Sequence, residues 1–328
     1  MKKVKIEEVY RKNYVFIYTR SPKEFAEDHI HGAINIPLFT NEERAIVGAI
    51  YKQLSPEMAM DKGLEIVSAK LPVMIEAYKK YKNKKLCVYC WRGGMRSHSV
   101  VSLLASLKFD VVQLENGYKD YRRFVREELE KIEIPKFIML YGLTGVGKTE
   151  ILKQFENSID LEGFAQHRGS IFGDIGLQQN TQKRFETLLL EKLYDLQGVQ
   201  YIFVEGEARK VGQILLPLRL WKHMQEGKNV RVVCSDDERV ERLYKEYCNT
   251  LDVPLFVEKI KQIEKFLGKK HAEELIQSLQ EGKVKEVIAE ILVKYYDVLY
   301  AHSVDAKNYL FEVHSAEELR EKAIVLAK

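Results

Sequence analysis

The sequence has few cysteines, no long hydrophobic run and almost no excess of either charge. Four cysteines in 328 residues are too few and too scattered for a disulfide framework. No segment reaches the roughly 18 uncharged apolar residues that a membrane-spanning helix needs. The amino terminus has no apolar signal region after its lysines. We therefore expect a cytoplasmic protein without membrane association.

The cysteine spacing excludes a zinc ribbon, whereas the charge balance excludes no class of function. The 52 Lys and Arg residues nearly balance the 48 Asp and Glu residues, for a net charge of +4, which permits RNA binding without requiring it. Cys87 and Cys90 form one CxxC pair, but Cys234 and Cys248 have the wrong spacing for the second half of a zinc ribbon. Because Cys87 falls within an apolar run, we expect it to be buried in a strand.

Short apolar runs alternate with helical patterns along the chain, which predicts an α/β protein with parallel sheets. A charged segment ending near Pro135 separates an expected domain at 1–130 from a second at 136–328. The predicted strands are 14–18, 33–37, 86–89, 111–114, 137–141, 201–204 and 230–233. The predicted helices are 22–26, 56–81, 97–107, 150–155, 237–247, 256–267, 272–279 and 284–300.

The run CWRGGMRS at 90–97 follows a predicted strand and has the spacing C-x5-R. Backbone amides, a helix start near Ser97 and the guanidinium groups of Arg92 and Arg96 all favour a thiolate at Cys90. Cysteine-dependent phosphatases and rhodanese-type sulfur transferases both need such a thiolate, so the loop alone does not separate them. A purely structural cysteine would not need two arginines and two glycines beside it.

The run GLTGVGKT at 142–149 matches the phosphate-binding pattern GxxxxGK(S/T) between a predicted strand and a predicted helix. Gly142, Gly145 and Gly147 let backbone amides turn towards a phosphate, Lys148 adds a positive charge, and Thr149 can ligate Mg²⁺. The loop predicts a di- or triphosphate ligand. It identifies neither a nucleotide nor a hydrolytic reaction.

Acidic residues follow the second strand of this predicted domain. Glu205 and Glu207 could hold the metal through water or orient a nucleophile, and an ion pair near Arg209 is the structural alternative. For RNA contact, the basic clusters at 79–85 and 122–126 are the candidate surfaces.

Several further motifs carry a family resemblance. RSPKEF at 20–25 and HIHGAINIP at 29–37 resemble the opening of rhodanese domains, although Thr19 stands where that family usually has Asp. With LFTNEERAIVG at 38–48, YKQ at 51–53, the two loops and HRGSIFG at 167–173, nearly the whole chain resembles the tRNA 2-selenouridine synthase family. After about Asp252 the similarity is only general.

The resemblance implies a rhodanese-like domain followed by a P-loop NTPase-like α/β domain with a helical C-terminal part. It implies a transferase that converts 2-thiouridine at the tRNA wobble position to 2-selenouridine, through S-geranyl-2-thiouridine. Selenophosphate and geranyl diphosphate would be substrates, and no cofactor would be tightly bound. The anticodon region of tRNA would be one partner, and the selenophosphate donor or its synthase another.

The same resemblance implies roles for individual residues. Cys90 would form an S-selanylcysteine, Arg92 and Arg96 would hold the phosphate of the donor, and the loop at 142–149 would hold a diphosphate with Mg²⁺. His167 and Arg168 would contact substrate or pack a loop. A rhodanese-type sulfurtransferase, a C-x5-R phosphatase with a regulatory nucleotide-binding domain and a non-catalytic binding module remain open, as does the oligomeric state.

Overall fold

The computed structural model describes residues 2–206, 208–248 and 252–326. It divides into two compact units. The first runs to Lys131 and includes Glu186–Glu191, and the second comprises Ile132–Phe185 and the chain from Lys192 onwards. Each unit has its own parallel sheet and hydrophobic core. Within the described residues, no helix combines the length and apolarity needed to cross a bilayer.

The first unit is built on a five-stranded parallel sheet in the order β1-β5-β4-β2-β3. Its strands are β1 (Lys3–Val4), β2 (Val15–Tyr18), β3 (Ile34–Asn35), β4 (Leu86–Tyr89) and β5 (Val111–Leu114). Its helices are α1 (Ile6–Val9), α2 (Pro22–Glu27), α3 (Asn41–Gln53), α4 (Pro56–Lys79), α5 (Met95–Ser106) and α6 (Gly117–Lys131). All four residues of the central strand β4 are buried, as expected where both faces of a parallel sheet are covered.

The second unit contains a five-stranded parallel sheet in the order β12-β11-β6-β8-β7 and a separate antiparallel pair, β9-β10. Its strands are β6 (Lys136–Tyr141), β7 (Ser158–Ile159), β8 (Tyr201–Glu205), β9 (Lys210–Val211), β10 (Ile214–Leu215), β11 (Lys228–Val232) and β12 (Tyr309–Val313). The strand in the middle of the five-stranded sheet, β6, leads directly into the run at 142–149.

Helices surround this second sheet and form an additional apolar cluster after α11. They are α7 (Lys148–Leu152), α8 (Leu161–Ala165), α9 (Gln182–Asp195), α10 (Leu218–Gln225), α11 (Asp236–Cys248), α12 (Val253–Gln262), α13 (Glu264–Leu267), α14 (Lys269–Gln280), α15 (Val284–Ile291), α16 (Val298–Asp305) and α17 (Ala316–Leu326). A π-helical stretch, Leu292–Asp297, joins α15 to α16. By its contacts, the middle of α9 belongs to the first unit.

The α/β fold with parallel sheets is confirmed, and the differences lie in individual elements. Helix α5 begins at Met95, two residues before the prediction, because Gly94 serves as its N-cap. The predicted helix 256–267 breaks at Ile263 into α12 and α13. The elements that were not predicted include helices α3, α6 and α9 and strand β12. Helix α3 buries none of its residues, so it carries no strong apolar pattern.

Candidate active sites

Cys90 lies immediately after the central strand β4, at the carboxyl edge of the first sheet. Its side chain is 3% exposed, and its Sγ lies 3.2 Å from the Ser97 hydroxyl. Helix α5 starts two residues before Ser97, and its N-cap Gly94 has no side chain with which to cap the first amides. The thiol therefore faces a helix N-terminus whose amide groups favour negative charge.

The surroundings of Cys90 favour its thiolate form. Burial acts to raise the pKa of the Cys90 thiol. Hydrogen bonds from the Ser97 hydroxyl and amide, the positive charge of Arg96 and the amide of Arg92 outweigh burial, so the pKa lies below its ordinary value. A thiol with a lowered pKa loses its proton more readily, and the thiolate is the nucleophilic form.

Two residues outside the motif hold the loop in shape. The fully buried Gln113 of β5 donates from Nε2 to the Gly93 carbonyl at 2.7 Å and to the Ser97 hydroxyl at 2.9 Å. Gly117 has φ +59°, and a Cβ there would lie 2.3 Å from the Cys90 carbonyl oxygen. The adjacent amide of Tyr118 donates to that same oxygen at 2.8 Å.

The arginines near Cys90 differ in their exposure and in whether they form an ion pair. Arg92 is exposed and Arg96 is half-buried, and neither forms an ion pair with a carboxylate of the described residues. Arg20 instead lies over the Trp91 ring at 4.7 Å and is ion-paired with Glu24. Both motif arginines thus remain available to an anion at the loop.

The phosphate-binding loop follows the central strand β6 of the second unit and opens on a cavity of about 700 Å³. Gly147, with φ +94°, is the N-cap of α7. Lys148 begins that helix and donates from Nζ to the Gly142 carbonyl at 2.9 Å. All five predicted phosphate-binding residues line the cavity: Gly142, Gly145, Gly147, Lys148 and Thr149.

Two arginines of α11 support this loop and were missed by the sequence interpretation. Arg239 is 2% exposed, donates to the Thr144 carbonyl at 2.8 Å, and forms a bidentate pair with Asp297. Arg242 lines the cavity and donates to the Gly145 carbonyl at 2.6 Å and to Glu150 at 2.7 Å. Only a pair of arginines three residues apart, just after an apolar strand, signals them in the sequence.

The HRGS stretch lies at the same cavity but is partly structural. His167 is buried, its Nδ1 accepts the Gly169 amide at 3.2 Å, and desolvation by burial lowers its pKa. Arg168 lines the cavity, is ion-paired with Glu246, and lies 4.9 Å over the Tyr247 ring. Packing therefore accounts for His167, whereas Arg168 has its guanidinium at the cavity wall.

Among the described residues, the acidic candidate Glu205 is not part of a metal site. Glu205 is 1% exposed, and its Oε1 accepts the Glu162 amide at 2.9 Å, which ties β8 to the start of α8. Glu207 lies outside the described residues. Arg209, the alternative partner, donates to the Leu216 carbonyl at 3.4 Å. No group of three His, Cys, Asp or Glu side chains suited to a metal occurs in the described part of the chain.

The structure contradicts one member of the second proposed RNA-binding cluster, at 122–126. Arg122 is 8% exposed and forms ion pairs with Glu186 and Asp28 in the interior, so its assignment to an RNA surface is wrong. Arg123 is paired with three carboxylates, those of Glu7, Asp120 and Glu127. The lysines at 79–85 are exposed, as an RNA-binding surface requires.

Taken together, the two units define a group-transfer protein in which a rhodanese-like domain precedes a P-loop domain. The family model "Rhodanese-like domain" matches residues 6–123, and the model "tRNA 2-selenouridine synthase AAA domain" matches residues 135–323.

Curated relatives match along nearly the whole chain. The tRNA 2-selenouridine synthase of Sulfurovum sp. (strain NBC37-1) is 34% identical, and that of Pseudomonas fluorescens is 31% identical, each over 93% of both chains. The synthase of Hydrogenovibrio crunogenus is 31% identical over 92% of both chains. The chain belongs to the tRNA 2-selenouridine synthase family.

Proposed function

We propose that this protein converts 2-thiouridine at the wobble position of tRNA to 2-selenouridine. The observation that carries the proposal is the presence of a thiolate loop and a phosphate-binding cavity in one chain of this family, each after the central strand of its sheet. The thiocarbonyl sulfur of 2-thiouridine is a poor leaving group, so the exchange needs an activation step as well as a selenium donor. The two sites supply one step each.

The P-loop cavity suits the activation step, in which the sulfur of 2-thiouridine attacks geranyl diphosphate and diphosphate leaves. Lys148, Arg242 and the amides at the start of α7 supply positive charge where the leaving diphosphate gains negative charge. The same cavity has an apolar and aromatic part, with Trp221, Tyr300 and Val304 among its lining residues. Such a wall suits the hydrocarbon chain of the prenyl donor.

The donor set of the cavity fits a magnesium ion bound together with the diphosphate. Thr149 offers a hydroxyl next to Lys148 at the start of α7, and the remaining ligands would be phosphate oxygens and water, which Mg²⁺ prefers to an all-protein cage. When bound, the ion would neutralise charge on the diphosphate. Lys148 and Arg242 contribute to the same stabilisation from the protein.

The Cys90 loop suits the selenium step. Arg92 and Arg96 and the first amides of α5 would hold the phosphate part of selenophosphate next to the thiolate. Selenium then replaces the geranylated sulfur at C2 of the base, and geranyl thiol leaves. In this half of the reaction, the Cys90 thiolate is the protein group that reacts directly with the donor.

The partners and the location follow from the substrates. The relatives are named for a tRNA product, and we propose the anticodon region of tRNA as the bound part, a selenophosphate source as second partner, and the cytoplasm as the location. Exposed lysines at 79–85 are the candidate RNA surface. Their contribution would make tRNA affinity fall steeply with added salt.

Mass spectrometry of tRNA nucleosides tests the proposal. The protein is incubated with thiolated tRNA and geranyl diphosphate, with selenophosphate, or with both. We expect S-geranyl-2-thiouridine from the first mixture and 2-selenouridine only from the last. Unchanged 2-thiouridine in all three mixtures would refute the proposal, and sulfur exchange with a thiosulfate donor would favour a sulfurtransferase instead.

A further inference from the structure

A thiolate can react with selenophosphate at either of two atoms. Attack on selenium forms an S–Se bond and breaks the Se–P bond with the electron pair leaving on phosphorus, so phosphorus is reduced to phosphite. A reductant must later break the S–Se bond. Attack on phosphorus forms an S–P bond and leaves the electron pair on selenium as hydrogen selenide, and no oxidation or reduction occurs.

The first unit offers no second thiol suited to the reductive route. Its one other cysteine, Cys87, lies in the middle of β4 with 0% exposure, and burial raises the pKa of that thiol well above its ordinary value. A resolving thiol has to be accessible and readily deprotonated. Cys234 and Cys248 belong to the second unit. The loop is thus built around a single reactive sulfur.

The loop also has the parts that phosphoryl transfer needs. The Ser97 hydroxyl, 3.2 Å from Sγ, holds the attacking sulfur in place. Arg96 is half-buried close enough to Sγ to stabilise its negative charge, and the uncapped first turn of α5 directs its amides at the loop. Planar guanidinium groups and backbone amides are suited to the three oxygens of a phosphoryl group in transit.

The leaving group removes the need for a general acid. Phosphatases that cleave alkyl esters must protonate the departing oxygen, whereas selenide is a weak base and departs as an anion. The carboxylates that contact this region are already engaged: Glu24 with Arg20 and Arg44, and Asp28 with Tyr118 and Thr187. The residues at the loop match a reaction in which selenium, and not oxygen, leaves phosphorus.

We propose that Cys90 attacks the phosphorus of selenophosphate and forms an S-phosphocysteine, in place of the S-selanylcysteine that the family resemblance implies. Hydrogen selenide is released next to the S-geranylated base. Selenide attacks C2, the C–S bond breaks, and geranyl thiol leaves with the proton that selenide brought. Water then cleaves the S–P bond, which yields inorganic phosphate and restores the thiol. This inference rests on the proposed function. In it, the C-x5-R loop of a selenium transferase forms and hydrolyses a phosphocysteine, as the loop of a cysteine-dependent phosphatase does.

Single-turnover experiments with ³²P-labelled selenophosphate and preformed S-geranyl tRNA test the proposal. Samples are quenched at neutral pH in denaturant, label on the Cys90 peptide is counted, and the released phosphorus species is identified by ³¹P NMR. We expect label on Cys90 that rises and decays within one turnover, with phosphate as the product. Phosphite as the product, or no label at any time in a productive turnover, would overturn it.

Matched arginine variants test whether the labelling of Cys90 depends on an arginine of the loop or on any arginine of the protein. Arg96→Lys keeps the charge but loses the planar fork, so the labelling rate should fall about tenfold or more. Arg320→Lys, at an exposed position of α17, should label as wild type does; an equal loss in both variants would contradict the assignment. If wild-type protein makes no 2-selenouridine from these substrates, the proposed function fails, and not this inference alone.

Discussion

The two loops occupy equivalent positions and are built in opposite ways. Each loop follows the middle strand of a five-stranded parallel sheet, β4 or β6, and precedes a helix. The Cys90 loop is braced: Cys90 is 3% exposed, and Gln113 and Gly117 fix the loop backbone. The phosphate-binding loop borders a cavity of about 700 Å³.

The difference between the two loops corresponds to two catalytic roles. A loop that contributes the reacting atom must hold that atom in one place and one protonation state, which buried hydrogen bonds achieve. A loop that only positions two substrates needs room and oriented positive charge. In the proposed reaction, the protein contributes the reacting atom at Cys90 and positions two substrates at Lys148, and each variant below tests one side of that contrast.

The largest expected effect is that of Cys90→Ala. Because the sulfur is the reagent, 2-selenouridine formation should fall to background while S-geranyl-2-thiouridine still forms at the wild-type rate. Nucleoside mass spectrometry with both donors measures the two products. Geranylation lost to the same extent, in a variant that unfolds at the wild-type temperature, would show that the two loops do not work separately.

Lys148→Ala should produce the opposite pattern. It removes a positive charge from the site where diphosphate would leave, and we expect geranylation to slow by about a hundredfold or more. Supplying tRNA that already carries S-geranyl-2-thiouridine should restore 2-selenouridine formation to the wild-type rate. A failure of that bypass would argue against a template role confined to the first step.

The backbone contacts that support the Cys90 loop can be disturbed without replacing a side chain that takes part in the reaction. Gly117→Ala places a Cβ 2.3 Å from the Cys90 carbonyl oxygen at φ +59°, so the loop must shift, and a shift of this kind should slow selenium transfer by at least about tenfold. Gly48→Ala is the control, because a Cβ there meets only the end of Arg44 at 3.6 Å. A thermal-unfolding profile of Gly117→Ala that matches the wild type would show that the first unit remains folded.

The sequence predicts the two loops well because their motifs are local. C-x5-R and GxxxxGKT each place a reactive group, glycines and a helix start within eight residues, and strand and helix patterns on either side agree. Gln113 and Arg242 reach those loops from 16 and 97 residues away. Nothing in the local pattern of β5 or α11 shows which loop carbonyl they will meet.

The prediction for Arg122 was wrong for the same reason. Counting charges along α6 treats each arginine as exposed, but Asp28 and Glu186 approach Arg122 from 94 and 64 residues away in sequence. An arginine with two carboxylates can be buried, whereas one without partners cannot. Helix α3 was missed because it lacks a buried apolar face, the signal on which helix prediction depends.

The smallest effect is expected from Ser97→Ala, which leaves the nucleophile in place and changes only its protonation. The Ser97 hydroxyl helps to lower the pKa of the Cys90 thiol, so the variant should have a higher pKa. Alkylation of the Cys90 peptide by iodoacetamide, followed by mass spectrometry across pH, measures this directly. The midpoint should move upward, the rate at pH 7 should fall several-fold, and the rates at high pH should converge.

Two further variants locate the cause of that shift. Ser99→Ala removes an exposed hydroxyl from the same helix and should leave the midpoint unchanged. Gln113→Leu keeps Ser97 but removes the amide that holds its hydroxyl at 2.9 Å, so the midpoint should move in the same direction by less. An unshifted midpoint in Ser97→Ala would mean that Arg96 and the helix amides alone maintain the thiolate. The bracing that distinguishes this loop from the phosphate-binding loop would then serve its shape and not its charge.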